Sequence, residues 1–263
     1  MEILSPGSLE DALRLKAATP SAVPLAGGTD LLVELNFDRQ RPETVINLGE
    51  VPELRGWARN DGTLRLNAGL TYAELLGEPL ASTVPALAEA ARTVGSPQIR
   101  NRGTIGGNLA TSSPAGDAIP PLLVLGAELE LASVRGTRRL PLQEFLLGPR
   151  RNALEPDELI SAVIVRPAAG PQTFMKVGPR NAMVIAVVSL ALGVDRERGE
   201  LRAAFGSASP VPPLVTGSID DTGDFAERVA AAASPIDDVR GTAAYRRHAL
   251  RVLVGRALDR CLA

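Results

Sequence analysis

The sequence predicts an α+β chain: a mixed α/β part reaching to about residue 168, then an antiparallel sheet followed by helices. Three observations predict it. Through the first part, apolar runs of strand length are interleaved with stretches of helical periodicity. After a boundary near 167–172, residues 173–177, 186–194 and 201–207 alternate or run apolar as antiparallel strands do. Two helical stretches then end the chain, and strands followed by helices are the mark of a separate α+β domain. With 263 residues there is room for about two domains and a sizeable core.

The elements are justified in chain order. Residues 8–18 read as a helix capped by Ser8, with Leu9, Ala12, Leu13 and Lys16 at helical spacing. An apolar strand from Val23 runs into Gly27-Gly28 and then into the helical pattern Leu31, Leu32, Leu35, which Thr29 or Asp30 is placed to cap. Residues 44–48 form a short strand. Residues 54–59 and 63–68 flank Asn60-Asp61-Gly62, a strong hairpin signal. Thr71 and Glu74 make a capping box at the head of a short helix, 71–76. An Ala-rich helix covers 84–94. The glycine-rich stretch that follows reads as a loop. Residues 118–125 form a helix with Pro120 and Pro121 in its first turn, where proline is tolerated. Residues 128–134 and 137–142 make a second hairpin around Arg135-Gly136, 143–147 a short helix, and 159–165 a strand. Beyond the boundary, 209–213 is a Pro-rich break, and 224–233 and 242–262 are helices. No internal repeat is visible.

The chemistry concentrates in the stretch Gln98-Ile99-Arg100-Asn101-Arg102-Gly103-Thr104-Ile105-Gly106-Gly107-Asn108 and the residues up to Asp117. It has almost no bulk, in a chain that is 45% hydrophobic. Glycines let a backbone approach a ligand closely, and successive inward N–H groups form an anion cradle. Thr104, Asn108, Thr111, Ser112 and Ser113 add side-chain donors. A phosphate or pyrophosphate is the natural guest. Gly27-Gly28, some 75 residues upstream, has a similar character. Either turn alone is more often a plain tight turn; the two together suggest two walls of one elongated dinucleotide site.

Composition narrows the chemistry. Charged residues make up 22% and the formal net charge is −2, so no basic excess marks a nucleic-acid binder. No apolar run approaches the roughly 18 residues of a membrane span, and the N-terminus lacks the pattern of a signal peptide. A cytoplasmic protein is expected. The single cysteine, Cys261, and single histidine, His248, leave few parts for a metal centre, an iron–sulfur cluster or a Ser-His-Asp triad. His248 reads as a partly exposed helix residue. Redox chemistry on this chain requires an organic cofactor. Aromatic residues, at 3%, argue against a base-stacking groove. There is no G-x-G-x-x-G and no Walker A motif.

Four motifs carry a resemblance. Ala26-Gly27-Gly28-Thr29-Asp30-Leu31 comes first. The long run from Gln98 to Ala110, with Ser113-Pro114 and Asp117, is the most specific. Lys176-Val177-Gly178-Pro179-Arg180 follows, and Ile236-Asp237-Asp238-Val239-Arg240-Gly241 with Tyr245-Arg246-Arg247 closes the set. In this order, over the whole chain, they resemble the flavin (medium) subunit of the molybdenum hydroxylases, as in carbon monoxide dehydrogenase and xanthine dehydrogenase. The resemblance implies a two-lobed PCMH-type FAD-binding domain over 1–168, with lobes of about 1–50 and 51–168, and a C-terminal domain over 169–263. It implies FAD as cofactor, held by Leu25, Ala26, Gly27, Gly28, Thr29, Asp30 and Leu31, by Gly103, Thr104, Gly106, Gly107 and Asn108, and by Thr111, Asp117, Ile160 and Lys176. It implies partners as well: a molybdopterin-binding large subunit and a [2Fe-2S] small subunit, in a hetero-oligomer that passes electrons from its clusters to this FAD and on to an acceptor. No side chain is assigned as an acid–base catalyst or a metal ligand.

Several of these residues have a second reading. Asp117 can cap the helix after it. Lys176 is either an edge-strand lysine or a cation beside the flavin ring. Arg100 and Arg102 suit a phosphate or a partner-docking face, and Arg246-Arg247 a helix surface packed on acidic neighbours. Met183 and Val184 stand where relatives carry an acidic residue near the nicotinamide side, which argues against NAD as final acceptor. A self-contained flavin reductase, resembling the enolpyruvyl-glucosamine reductases, and a scaffold that has lost its flavin are the competing functional readings.

Overall fold

A side-chain cap at Ser8 and a left-handed turn at Gly28 frame the first sheet and its helices. The computed structural model describes residues 1–167, 169–181 and 183–263; Ala168, where the expected boundary falls, and Ala182, beside Met183, lie outside the described residues. The first part runs β1 (Glu2–Leu4), α1 (Leu9–Ala18), β2 (Val23–Leu25), α2 (Leu31–Asn36) and β3 (Thr44–Asn47). Ser8 Oγ accepts from the Asp11 amide at 3.1 Å, the expected N-cap. The strands form a parallel sheet in the order β1-β3-β2, with Ile3 opposite Val45 and Pro24 opposite Ile46. Parallel neighbours need crossovers, which α1 and α2 supply. The strand β1 was not expected. The Lys16 ammonium donates to the carbonyls of Pro20 and Ala22, both at 2.7 Å, and so ties the end of α1 to the approach to β2. Asp30 occupies the N-cap position of α2 without a capping bond.

The second part opens with β4 (Trp57–Asn60) and β5 (Thr63–Asn67). Asp61 and Gly62 turn between them at φ of 43° and 77°, as a two-residue hairpin requires. Five short helices follow: α3 (Leu80–Thr83), α4 (Pro85–Thr93), α5 (Pro97–Arg102), α6 (Ile105–Thr111) and α7 (Ile119–Val124). Then come β6 (Glu128–Ser133), β7 (Gly136–Pro141), α8 (Leu142–Phe145), the small pair β8 (Leu146–Gly148) and β9 (Arg151–Asn152), and β10 (Leu159–Val165). The main sheet has the order β4-β5-β10-β6-β7 and is antiparallel. Its central strand β10 is buried along its whole length.

The glycine-rich stretch is not the loop its composition suggests. It folds as α5 and α6, joined at Gly103. Ser96 Oγ accepts from the Ile99 amide and Thr104 Oγ1 from the Gly107 amide, so each helix has a side-chain cap. Gly106 is buried in α6 because the helix lies directly on β5's exit: a Cβ there would stand 2.6 Å from the Ala68 Cβ. The glycine serves helix-to-strand packing, and its N–H is taken up by the Ala68 carbonyl at 2.8 Å.

The third part is a four-stranded antiparallel sheet, β11 (Gln172–Val177), β12 (Val188–Asp195), β13 (Glu200–Gly206) and β14 (Leu214–Ser218), followed by α9 (Phe225–Ala231) and α10 (Ala243–Leu262). β14 was not expected. Phe174, Ala191 and Ala204 face the core of the preceding part, and Gly193 lies so close to α7 that a Cβ would stand 2.6 Å from Val124 Cγ1. Leu190, Leu192 and Phe205 face the other way, under α9 and α10. Arg246 corrects the surface reading of Arg246-Arg247. It is 1% exposed, and its guanidinium donates to the Ser207 carbonyl and to Asp238 Oδ1. His248 is exposed and Cys261 buried.

Candidate functional site

Gly27 decides how the two glycine-rich segments meet. A Cβ at this position would lie 1.7 Å from the carbonyl oxygen of Arg102, so only glycine lets the turn after β2 touch the α5–α6 joint. Gly28 follows at φ 76°, a left-handed conformation that releases the chain into α2. The contact closes one side of a cavity of about 820 Å³, within the usual range of roughly 300–1,000 Å³ for ligand sites.

Of the residues singled out from the sequence, Leu25, Ala26, Gly27, Gly28, Thr29, Asp30, Leu31, Gly103, Thr104, Gly106, Gly107, Asn108, Thr111, Asp117 and Ile160 all line this cavity. Lys176 does not. Its Nζ lies 2.6 Å from Asp117 Oδ2 and 3.3 Å from the Thr93 carbonyl, behind the wall. Asp117 therefore does not cap α7, whose N-cap is Ala118. It turns to a cation delivered by β11. Both side chains of the pair are almost fully buried. Burial pushes the Asp117 carboxyl up from its usual range, and the Lys176 ammonium opposes that rise.

The two expected cradles differ. Around Thr104 the amides are already occupied: Ile105 donates to the Leu70 carbonyl, Gly106 to Ala68, Gly107 to Thr104 Oγ1 and Asn108 to the Thr104 carbonyl. This segment offers side chains and close approach. Around Gly27, by contrast, the amides of Gly27, Gly28, Thr29, Asp30 and Leu31 meet no acceptor among the described residues. Five consecutive free N–H groups beside a cavity are an anion cradle. Two further polar atoms of the wall, Asn108 Oδ1 and Asp117 Oδ1, are buried and have no partner among the described residues. Buried polar atoms are nearly always paired, so both await a donor. A phosphate-bearing ligand with hydrogen-bond donors along its length fits this set, and FAD is such a ligand.

Arg100 does not line the cavity; its Nη1 donates to the carbonyls of Val94 at 3.1 Å and of Arg92 and Gly95 at 3.4 Å, around the end of α4. Arg102 is exposed. Across the cavity mouth, Met183, Val184 and Ile185 contribute an apolar edge, with Met183 at φ 53° and its carbonyl accepting from Arg180. Lys16 lines the cavity too, and burial lowers its ammonium against the opposing charge of Asp157.

Tyr72 was missed. It lines the cavity next to the capping box, which forms as expected: Thr71 N donates to Glu74 Oε2 at 2.8 Å and Glu74 N to Thr71 Oγ1 at 3.2 Å. Its amide donates to the Gly103 carbonyl at 3.1 Å. The signal was an aromatic residue, in a chain with two tyrosines, directly after a helix cap.

Comparisons with known proteins identify the family and the cofactor. Residues 1–168 match the family described as the FAD binding domain in molybdopterin dehydrogenase. The nicotinate dehydrogenase FAD-subunit of Eubacterium barkeri is 42% identical over 205 residues, covering 74% of this chain and 69% of that protein. A putative xanthine dehydrogenase FAD-binding subunit of Escherichia coli is 37% identical over 214 residues, covering 78% and 73%. Among solved structures, a chain of the reconstituted CO dehydrogenase from Oligotropha carboxidovorans superposes with a TM-score of 0.93 at 26% identity, over 99% of this chain and 97% of that one. A chain of the carbon monoxide dehydrogenase from Hydrogenophaga pseudoflava gives 0.91 at 28%, over 99% and 98%. The relatives are subunits of multi-subunit dehydrogenases, and among the described residues no helix is long and apolar enough to cross a membrane. The family match over residues 1–168, the flavin-subunit relatives and a fold shared over the chain's length place the chain in one family: it belongs to the FAD-binding subunits of the molybdopterin dehydrogenases, with FAD as its cofactor.

Proposed function

We propose that this chain is the electron-transfer flavoprotein of a molybdenum hydroxylase, taking electrons from [2Fe-2S] clusters on a small partner subunit. Those electrons come from a substrate oxidised at a molybdopterin-bearing large subunit and leave to a terminal acceptor. Bound FAD supplies redox chemistry in one- and two-electron steps. The chain's own residues bind and orient it. The amides of Gly27 to Leu31 take the pyrophosphate, with Leu25, Ala26, Thr29 and Asp30 along the same turn. Gly103, Thr104, Gly106, Gly107, Asn108 and Thr111 form the facing wall, and Ile160 supports it from β10. Asp117 accepts from the ligand through Oδ1 while the Lys176 ammonium holds its Oδ2 from behind. In this reading 1–168 is the FAD-binding domain, with lobes of about 1–50 and 51–168, and 169–263 is a C-terminal domain whose strand β11 delivers Lys176.

The observation that carries the proposal is the set of five unpartnered amides at Gly27 to Leu31, opening on the same cavity as the α5–α6 joint. The clusters are assigned to another chain because the sequence offers one thiol, Cys261, and a [2Fe-2S] cluster takes about four. The edge formed by Met183, Val184 and Ile185 carries no carboxylate of its own, which favours an acceptor other than NAD. The purified chain, incubated with FAD and desalted, is expected to keep a flavin absorption spectrum and to release FAD, not FMN, on denaturation. A chain that stays colourless both alone and co-purified with its partner subunits would overturn the proposal.

A further inference from the structure

Tyr72 belongs to the cavity wall. The residue is 4% exposed and lines the cavity, yet its phenol makes no hydrogen bond among the described residues. The ring is held tightly: a Cβ on Gly103 would lie 3.2 and 3.4 Å from its Cδ2 and Cε2, so the ring lies against the Gly103 backbone. The backbone is held as well, by the Tyr72 amide on the Gly103 carbonyl and the Ala73 amide on the Arg100 carbonyl, at 3.1 and 3.0 Å. The phenol oxygen is not sealed in by the protein but stands open to the cavity that the ring lines, where a bound group can meet it. The charge of Asp117 reaches it, and burial together with that charge raises the phenol out of the range where it would ionise. It therefore remains a donor. Asp117 Oδ1, buried and without a partner among the described residues, is the matching acceptor on the same cavity.

We propose that Tyr72 is a ligand-positioning residue, donating its phenol hydrogen to the polar edge of one of the two ring systems of FAD while Asp117 Oδ1 accepts from the ligand beside it. The inference rests on the FAD reading of the cavity. Both isoalloxazine and adenine carry an acceptor and a donor side by side on one edge, so a wall with one donor and one acceptor selects that class of edge. Phosphates, which only accept, belong to the amides of Gly27 to Leu31.

Tyr72→Phe removes one oxygen and keeps the ring on Gly103. The test uses the full chain, wild type and variant, with three readouts: affinity for FAD, the visible spectrum of the bound flavin, and thermal unfolding without FAD. The expected result is about tenfold weaker FAD binding, the size of one neutral hydrogen bond, with unchanged unfolding of the free chain. A displaced flavin band accompanying that loss supports the isoalloxazine as the acceptor; an unchanged band with the same loss supports adenine. Equal affinity and an identical spectrum overturn the proposal. So does a loss of affinity that travels with a lowered unfolding transition, since Tyr72 would then be structural. A wild-type chain that binds no FAD overturns the FAD reading itself, an outcome distinct from both.

Discussion

At the scale of single residues, two atoms' worth of space decide whether the site exists. Gly27 is the sharpest case, because the obstacle to a side chain is backbone and not a flexible tip: the Arg102 carbonyl sits where a Cβ would be. Gly27→Ala must push the turn after β2 away from the α5–α6 joint. The expected cost is about 3 kcal/mol, the upper end for overpacking, together with loss of FAD binding. Urea denaturation and an FAD titration measure the two effects. Gly7→Ala is the control, since a Cβ at Gly7 meets nothing within 4 Å and should cost under about 0.5 kcal/mol. A Gly27→Ala chain with wild-type midpoint and affinity would mean the two segments do not touch as described. The glycines themselves were legible in the sequence, and their meeting was suspected from their shared character. The reasons for them were not. Gly106 is needed by the close packing on Ala68, a reason that depends on which strand lies beneath the helix.

At the scale of elements, local signals were legible and distant ones were not. The caps at Ser8 and at Thr71 with Glu74 span three residues each and could be read directly. The helices α5 and α6 could not, because six or seven residues are too few to display a helical period and glycine is a poor helix former. The edge strand β14 is half exposed along its length and follows a Pro-rich break, so it carries no strong alternation. Arg246 looked like surface because its partners, Asp238 and the Ser207 carbonyl, lie in other elements. This pair joins the turn before α10 to the helix itself and invites a test by pH. Burial disfavours the ionised Asp238, but hydrogen bonds from the Arg240 amide and from the Arg240 and Arg246 side chains outweigh it and hold the carboxyl at about 2. A depressed carboxylate stabilises the fold above its unfolded value, about 3.9. That contribution is then lost as pH falls from about 3.9 through about 2. Asp238→Asn leaves a buried guanidinium without its counter-charge and should cost about 3 kcal/mol near pH 7. The gap in stability between wild type and variant should narrow across that acid window and be constant from pH 5 to 8. A gap that is already absent at pH 7, measured by denaturant titration, would remove the pair from the list of contacts that hold α10.

At the scale of the whole molecule, the cavity is assembled from three regions that are far apart in sequence: the turn at Gly27, the central part from Ala68 to Asp117 with β10, and residues 183–185 ahead of β12. The ion pair of Asp117 with Lys176 fastens the third region to the second, and the core continues across the same junction through Phe174, Ala191 and Ala204. A ligand bound between these walls stabilises every part that must stay in place to hold it. At a free concentration of 100 times its dissociation constant, FAD should add about 2.7 kcal/mol to unfolding. Two probes read different regions. Trp57, the single tryptophan, sits on β4 of the five-stranded sheet. The far-ultraviolet dichroism is weighted toward α10, whose 20 residues make it the longest of the helices described. Both transitions are expected to coincide and to move up together when FAD is added. In Lys176→Met the buried Asp117 carboxyl loses its cation, and the bond between the two regions goes with it. The Trp57 transition should then respond to FAD more weakly, and the dichroism transition should separate from it. Coincident, equally shifted transitions in the variant would mean that the apolar junction alone makes the molecule unfold as one unit, with the ion pair contributing only to the ligand.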